Sequence, residues 1–289
     1  MKTLIKYFAA AAALLALAAC DKFPGRTREI TIQAGIGAMT KVSTTGDKAT
    51  FDAKDQITVY AWTGSATEVP ATRVVDGVVN TYDGVKWTPA AQMLWEDVSS
   101  PHYFLGIHPV RTVKDFTADP FTLDPDDYKA SDLMIAVNAT GLKASATPVA
   151  LTFGHAMARL DVNLNFRNQW ETTPTVSAVT ATAKKTATVN YLAAAPVTAT
   201  GEAAKVALSK KSDAAWSGLQ VPQTGLRTLT ITIDGKDYVF THSADIPLAG
   251  GQYTTVNLNI GRDRIDLGSM TINNWVAGST IDGGEAQDD

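Results

Sequence analysis

Leu160, Val162, Leu164 and Phe166 alternate with Arg159, Asp161, Asn163 and Asn165. Successive side chains of a strand point to opposite faces, so this period of two gives one apolar face and one polar face. A helix would scatter both sets around its axis. The segment can therefore bury itself only as a half-covered strand, and the pattern recurs along the chain. Ile30-Thr31-Ile32-Gln33-Ala34 alternates. Ile57, Val59 and Ala61 alternate with Thr58, Tyr60 and Trp62. Leu229, Ile231 and Ile233 alternate with Thr228, Thr230 and Thr232, and Val256, Leu258 and Ile260 with Asn257 and Asn259. Asp76-Gly77 and Asp234-Gly235 each lie between strand-like runs. Asp-Gly reaches the positive φ angles of a two-residue turn, so both are expected hairpins. Only Ala193 to Ala207 approaches a helical period, and Pro196 and Gly201 interrupt it, which favours loop or weak strand. Short strands at intervals of about ten residues predict an all-β fold of sandwiches or barrels rather than βαβ units.

The 289 residues are enough for about two domains. The polar, Pro-terminated stretch Arg167 to Pro174 is the expected break. It gives an N-terminal domain over 29–167 and a C-terminal one over 173–289. Upstream, Lys2 and Lys6 precede an apolar core from Tyr7 to Leu17, shorter than the roughly 20 residues of a membrane span. Residues 1–19 are the expected secretory signal peptide. Loss of Lys2 and Lys6 leaves 23 basic against 29 acidic residues, a net charge of −6. This mild acidity argues against a broad nucleic-acid face.

Chemistry-bearing patterns are scarce. The one cysteine, Cys20, excludes an intramolecular disulfide and any cysteine-cluster metal site. His102, His108, His155 and His242 are scattered without metal-ligand spacing. No catalytic serine motif or P-loop is present. Asp124-Pro125-Asp126-Asp127 lacks the Gly and distal Glu of an EF-hand loop and is expected to be a solvated acidic turn. The expectation is no catalytic residues, no metal and no cofactor. Trp62, Trp87 and Trp95 admit two readings: sandwich-core residues, or a stacking platform for glycans.

Leu17-Ala18-Ala19-Cys20 resembles a bacterial lipobox, in which the cysteine is acylated and becomes the first mature residue. Residues 20–28 then form a lipidated tether, and several acyl chains anchor stably because each buried CH₂ adds about 0.8 kcal/mol. Asp21 follows directly; in some bacteria such a residue retains lipoproteins at the inner membrane.

Further motifs follow in order. Phe51 to Tyr60, the spaced Trp87 and Trp95, Tyr103 to Pro109, Ser131-Asp132-Leu133-Met134-Ile135-Ala136, Phe153 to Leu160, Leu248 to Tyr253 and Ile272 to Trp275 together resemble the fimbrillin lipoproteins of the Bacteroidetes. The departures are Lys54, where that family often has Gly, and Thr40-Lys41, where many members have Thr-Arg.

The resemblance implies two tandem transthyretin-like Greek-key β-sandwich domains. It also implies a non-catalytic fimbrial subunit or pilus-associated lipoprotein at the outer membrane and cell surface, with a tip, anchor or accessory role favoured. Its partners are other fimbrial subunits, the outer membrane through lipid, and host or bacterial surface ligands. In such families subunits join by strand exchange after a protease removes the N-terminal strand. Ile30, Ile32 and Ala34 mark the strand in question here. Arg26, Arg28 and Lys41 are the candidate processing sites. Cleavage after Arg28 keeps the strand, whereas cleavage after Lys41 removes it. A surface glycan-binding lipoprotein is the alternative.

Overall fold

A computed structural model describes residues 29–37, 50–170 and 172–275. Its regular secondary structure is almost entirely strand. The N-terminal part contains β1 (Ile32–Ile36), β2 (Gln56–Thr63), β3 (Val75–Tyr82), β4 (Trp87–Pro89), β5 (His102–His108) and β6 (Asp119–Thr122). The single helical turn α1 (Tyr128–Ser131) precedes β7 (Met134–Leu142) and β8 (Val149–His155). There follow β9 (Ala158–Phe166), β10 (Val176–Ala183), β11 (Thr186–Val189), β12 (Val197–Thr200), β13 (Ala204–Ala207) and β14 (Ser209–Ser212). The last strands are β15 (Ala215–Gln220), β16 (Thr228–Ile233), β17 (Lys236–Thr241), β18 (Gln252–Ile260) and β19 (Ile265–Asn274). The all-β expectation holds, and each alternating segment named above contributes to a strand.

Seven strands form one sheet in the order β1-β8-β7-β5-β2-β3-β4. The C-terminal strands form a five-stranded sheet, β14-β15-β9-β18-β19, and a four-stranded one, β13-β10-β16-β17. A small sheet, β12-β11-β6, joins the two halves because β6 pairs antiparallel with β11. A division after Phe166 would cut β9 from both its partners, β15 and β18. The polar stretch from Arg167 marks a surface loop, and sheet membership changes earlier, at the corner between β8 and β9. Composition reports exposure, and here the exposed loop and the change of sheet fall at different places.

The halves are also joined by side chains. In β2, Ile57, Val59 and Ala61 lie in one hydrophobic cluster with Phe104, Phe153 and Trp87. The intervening Tyr60 and Trp62 lie in a second cluster with Phe116, Phe121, Tyr191 and the interior of the C-terminal strands. β5 does the same, with Phe104 on one side and Leu105 and Ile107 on the other. At this seam Arg111 Nη2 donates to Asp119 Oδ2 over 2.8 Å, and the Tyr191 hydroxyl donates to the same oxygen over 2.7 Å. Burial, together with that hydrogen bond to Asp119, raises the Tyr191 pKa above its ordinary value.

The two Asp-Gly pairs behave differently. Asp234 and Gly235 have φ of 47° and 79° and close a two-residue hairpin in which Ile233 pairs with Lys236. Asp76-Gly77 lies inside β3 and makes no hairpin. Val78 pairs with Val59 and Val75 with Ala61, so both flanks face β2 and the strand carries an extra residue as a bulge. Gly77 has φ of 72°, and a Cβ there would lie 3.2 Å from the Tyr60 hydroxyl. Local composition signals the positive φ; which strand the flanks pair with is a tertiary matter.

Lys54 has φ of 81° in the loop before β2, a conformation favoured by glycine. Gly77→Ala is expected to lower unfolding free energy by about 1–3 kcal/mol. Lys54→Gly should raise it by about 0.5–1 kcal/mol, the left-handed strain relieved less the backbone entropy added. Urea denaturation of both variants checks the opposite signs.

Candidate strand-acceptor groove

β1 closes the seven-stranded sheet. It runs parallel to β8, with Ile32 opposite Val149 and Ile36 opposite Phe153. The Val149 N–H donates to Thr31 O, and the Gly37 N–H to Phe153 O, each over 2.8 Å. Along its other side the segment meets the region of β4 and the loop after it. The Ile30 N–H donates to Met93 O over 2.9 Å, Trp87 Nε1 donates to Ala34 O over 3.2 Å, and Glu29 forms an isolated bridge with Leu94. Nine residues thus link opposite ends of one sheet.

Alternation decides which side chains fill the space inside. Ile30 and Ile32 are 2% and 6% exposed, and Ala34 and Ile36 pack more loosely on the same cluster. Thr31 and Gln33 face outward. Beneath the segment Phe51 meets Trp87 edge to face at 5.0 Å and Phe153 at 5.4 Å. Each buried isoleucine contributes about 1.5–3 kcal/mol relative to exposure. A sheet without this segment has an open β8 edge above an apolar slot, the arrangement that strand addition satisfies.

Of the candidate site residues, Ile30, Ile32 and Ala34 come together in this slot. Cys20, Arg26, Arg28 and Lys41 lie outside the described residues. The glycan-platform reading of the tryptophans is overturned by burial. Trp62 is 0% exposed, Trp87 7% and Trp95 3%. The Trp62 indole donates to Ser65 O over 2.7 Å, and Trp95 packs edge to face on His102 and Phe104. Trp87 has a role the sequence did not disclose, since its indole N–H holds the β1 backbone. No local pattern announces a side chain that bonds to a carbonyl 53 residues away.

Several of the sequence motifs converge at the β8–β9 corner. His155 Nδ1 hydrogen-bonds Asp132 Oδ1 over 2.7 Å, with both side chains buried. The His155 ring stacks on Trp275 at 4.1 Å with only 2° between planes. The Arg159 guanidinium lies 5.5 Å from the Trp275 ring and 4.4 Å from that of Tyr253, and it pairs with Asp161 over 2.9 Å. The Trp275 N–H donates to Gly251 O, and Gly251 N–H to Met157 O. His155 Nε2 has no hydrogen-bond partner among the described residues. Among the described residues the dyad fastens the end of β19 to the corner.

An open cleft of about 690 Å³ lies nearby, lined by Asp52, Asp55, His108, Asp127, Tyr128 and Asp132 among others. Three of its carboxylates are engaged locally. Asp55 accepts the Asp52 N–H, Asp127 caps α1 through the Ala130 N–H, and Asp132 holds His155. Burial raises the Tyr128 pKa, with the charges of Asp132 and Asp161 acting in the same direction. Among the described residues no group of three His, Cys, Asp or Glu side chains could hold a metal ion. Asp124 Oδ1 accepts the Asp126 N–H, which fits the expected turn.

A model of the fimbrillin-like family matches residues 40–275. No curated protein matches the chain. Among solved structures, a candidate cell adhesion protein from Bacteroides ovatus is similar with TM-score 0.68 and 14% identity, covering 88% of this chain and 100% of that one. A candidate cell adhesion protein from Bacteroides uniformis gives 0.66 and 18%, covering 86% and 98%. The tip fimbrial protein Mfa3 from Porphyromonas gingivalis, with C-terminal truncation, gives 0.50 and 11%, covering 78% and 95%. At these identities the likeness is one of fold.

Ile30→Ala and Ile32→Ala are each expected to lower unfolding free energy by about 2–4 kcal/mol through lost burial and residual cavity. Thr31→Ala, on the outward side of the same segment, should change it by less than about 0.5 kcal/mol. Chemical denaturation of the three variants tests whether this short segment is part of the core.

Proposed function

Because this chain belongs to the fimbrillin-like family, we propose that it is a non-catalytic fimbrial subunit or fimbria-associated lipoprotein of the cell surface. The observation that carries the reading is the position of β1. It is a strand at the end of the sheet order, paired in register with β8 alone and seated over an apolar slot. A strand from another subunit with the same alternation fits that slot. Its main chain takes over the β8 edge, and its apolar side chains take the places of Ile30 and Ile32.

Two sequence features set the role within that reading. Acylation at Cys20 would hold the chain at the outer membrane through the tether of residues 20–28. Processing after Arg26 or Arg28 would remove the tether and leave β1 in place. Opening the slot requires cleavage beyond β1, where Lys41 stands and where an Arg-specific protease has no substrate. A lipid-held chain that keeps its own β1 suits an anchor, terminal or accessory position better than a shaft. The partners are other fimbrial subunits, with host or bacterial surface ligands beyond them.

The N-terminal mass of protein recovered from intact cells tests this. The expected result is an acylated Cys20 terminus with Ile30 to Ala34 retained. A terminus at Val42 would overturn the anchor assignment and make the chain a polymerising subunit. Protein that neither lies at the surface nor co-purifies with filaments would remove the fimbrial reading itself.

A further inference from the structure

β19 stands apart from the other sheet edges. A free edge displays unpaired N–H and C=O groups, and soluble proteins protect such edges with short strands, charge or proline. β14 carries Lys210 and Lys211, β13 carries Lys205, and β17 begins with Lys236 and Asp237. β6 contains Pro120, β4 has three residues and ends at Pro89, and β12 has four residues. β1 is closed against the region of β4. β19 runs for ten residues, contains no Lys, Arg or Pro, and pairs only with β18 among the described residues.

Its core-facing side is also incompletely covered. Thr254, Val256, Leu258 and Ile260 of β18 are fully or almost fully buried, whereas their partners Ile272, Met270, Leu267 and Ile265 are not. Ile272 is 50% exposed. Ile265, Leu267 and Met270 still pack partly against the core, and at Ile272 the apolar row continues beyond its cover.

We infer that β19 is an interaction edge for a second copy of this chain, paired antiparallel through residues 269–273 about Thr271. The register follows from the side-chain alternation. Met270 and Ile272 face the core side, while Ser269, Thr271 and Asn273 face the other. Antiparallel pairing centred on Thr271 sets Met270 of each copy opposite Ile272 of the other, so the exposed isoleucine gains an apolar neighbour. It sets Thr271 against itself and Ser269 against Asn273, pairs of matching polarity. The irregularity at Gly268 lies just outside this stretch.

Charge agrees with this orientation. At the start of β19 the arginines Arg167, Arg262 and Arg264 stand with the carboxylates Asp263 and Asp266, the last shared by Arg167 and Arg264, leaving a positive excess of one charge. After Trp275 the sequence carries Asp282, Glu285, Asp288 and Asp289 with no basic residue. Antiparallel pairing brings the basic end of one copy to the end from which its partner's acidic segment departs. Parallel pairing would bring like ends together. The contact uses β19 and takes no part of β1, so it stands independently of strand replacement.

The test uses the full chain carrying Cys20→Ala, which removes its one cysteine. Thr271→Cys in this background is expected to give a disulfide-linked dimer under mild oxidation. Ser209→Cys, exposed on the protected edge β14, should stay monomeric. By sedimentation velocity the unsubstituted chain should show a concentration-dependent dimer, and Ile272→Lys should abolish it with the far-UV spectrum unchanged. A monomer at all soluble concentrations overturns the assignment. So does cross-linking of Ser209→Cys equal to that of Thr271→Cys, or a dimer that survives Ile272→Lys. If Ile272→Lys does not fold, the two cysteine variants decide alone.

Discussion

The two-sided burial of β2 and β5 is the constraint on which the rest of this structure depends. A strand covered on one face needs only a single apolar row. These two supply a row to each face, Ile57, Val59, Ala61 and Phe104 on one side and Tyr60, Trp62, Leu105 and Ile107 on the other. The seven-stranded sheet therefore lies between two cores. Close packing on both faces leaves little freedom for one half to move against the other. The pairing of β6 with β11 and the bonds of Arg111 and Tyr191 to Asp119 reinforce the same junction. The halves meet in a continuous core where a polar linker alone would make a hinge.

This constraint also separates what the sequence discloses from what it conceals. Period-two alternation located β9, β16 and β18 because half-buried strands must alternate, whereas in β2 both alternating sets are buried. The Asp234-Gly235 turn was legible because its geometry is local. Asp76-Gly77 has the same chemistry, yet its flanks pair with β2, and a dipeptide contains no record of that partner. The tryptophans were ambiguous because a ring that fills a core and a ring that binds sugar have the same composition. Burial alone distinguishes them, and burial depends on strands distant in sequence. The change of sheet at the β8–β9 corner was hidden because Arg159 continues the alternation of β9 without interruption.

The order of the motifs carried more of the site than any one residue did. Asp132, His155, Gly251 and Trp275 lie in four separate stretches, and none has chemistry that singles it out. The fold brings them to one corner, where a buried carboxylate orients an imidazole and the imidazole stacks on an indole. Partners tens of residues apart must be present together for such a corner to form, so their order along the chain is informative even when each motif is weak. The β1 slot was legible for a related reason. Its alternation was visible, and only its neighbours Trp87 and Met93 were not.

The two hydrophobic clusters share no residue, and this bears on whether β1 is replaceable. Ile30, Ile32, Ala34 and Ile36 all belong to the cluster inside the seven-stranded sheet. The larger cluster, which ties the halves together, receives nothing from β1. Withdrawing β1 therefore opens one core and leaves the junction standing, since β2 and β5 keep their contacts with Phe116, Phe121 and Tyr191. A strand that contributed to both cores could not leave without loosening the whole molecule. The energy at stake is also bounded. Two buried isoleucines and a short ladder of hydrogen bonds amount to several kcal/mol, which an incoming strand of like pattern can return in full. β1 is thus costly enough to hold the slot closed yet confined to one of two separate clusters, the combination that the proposed strand exchange needs.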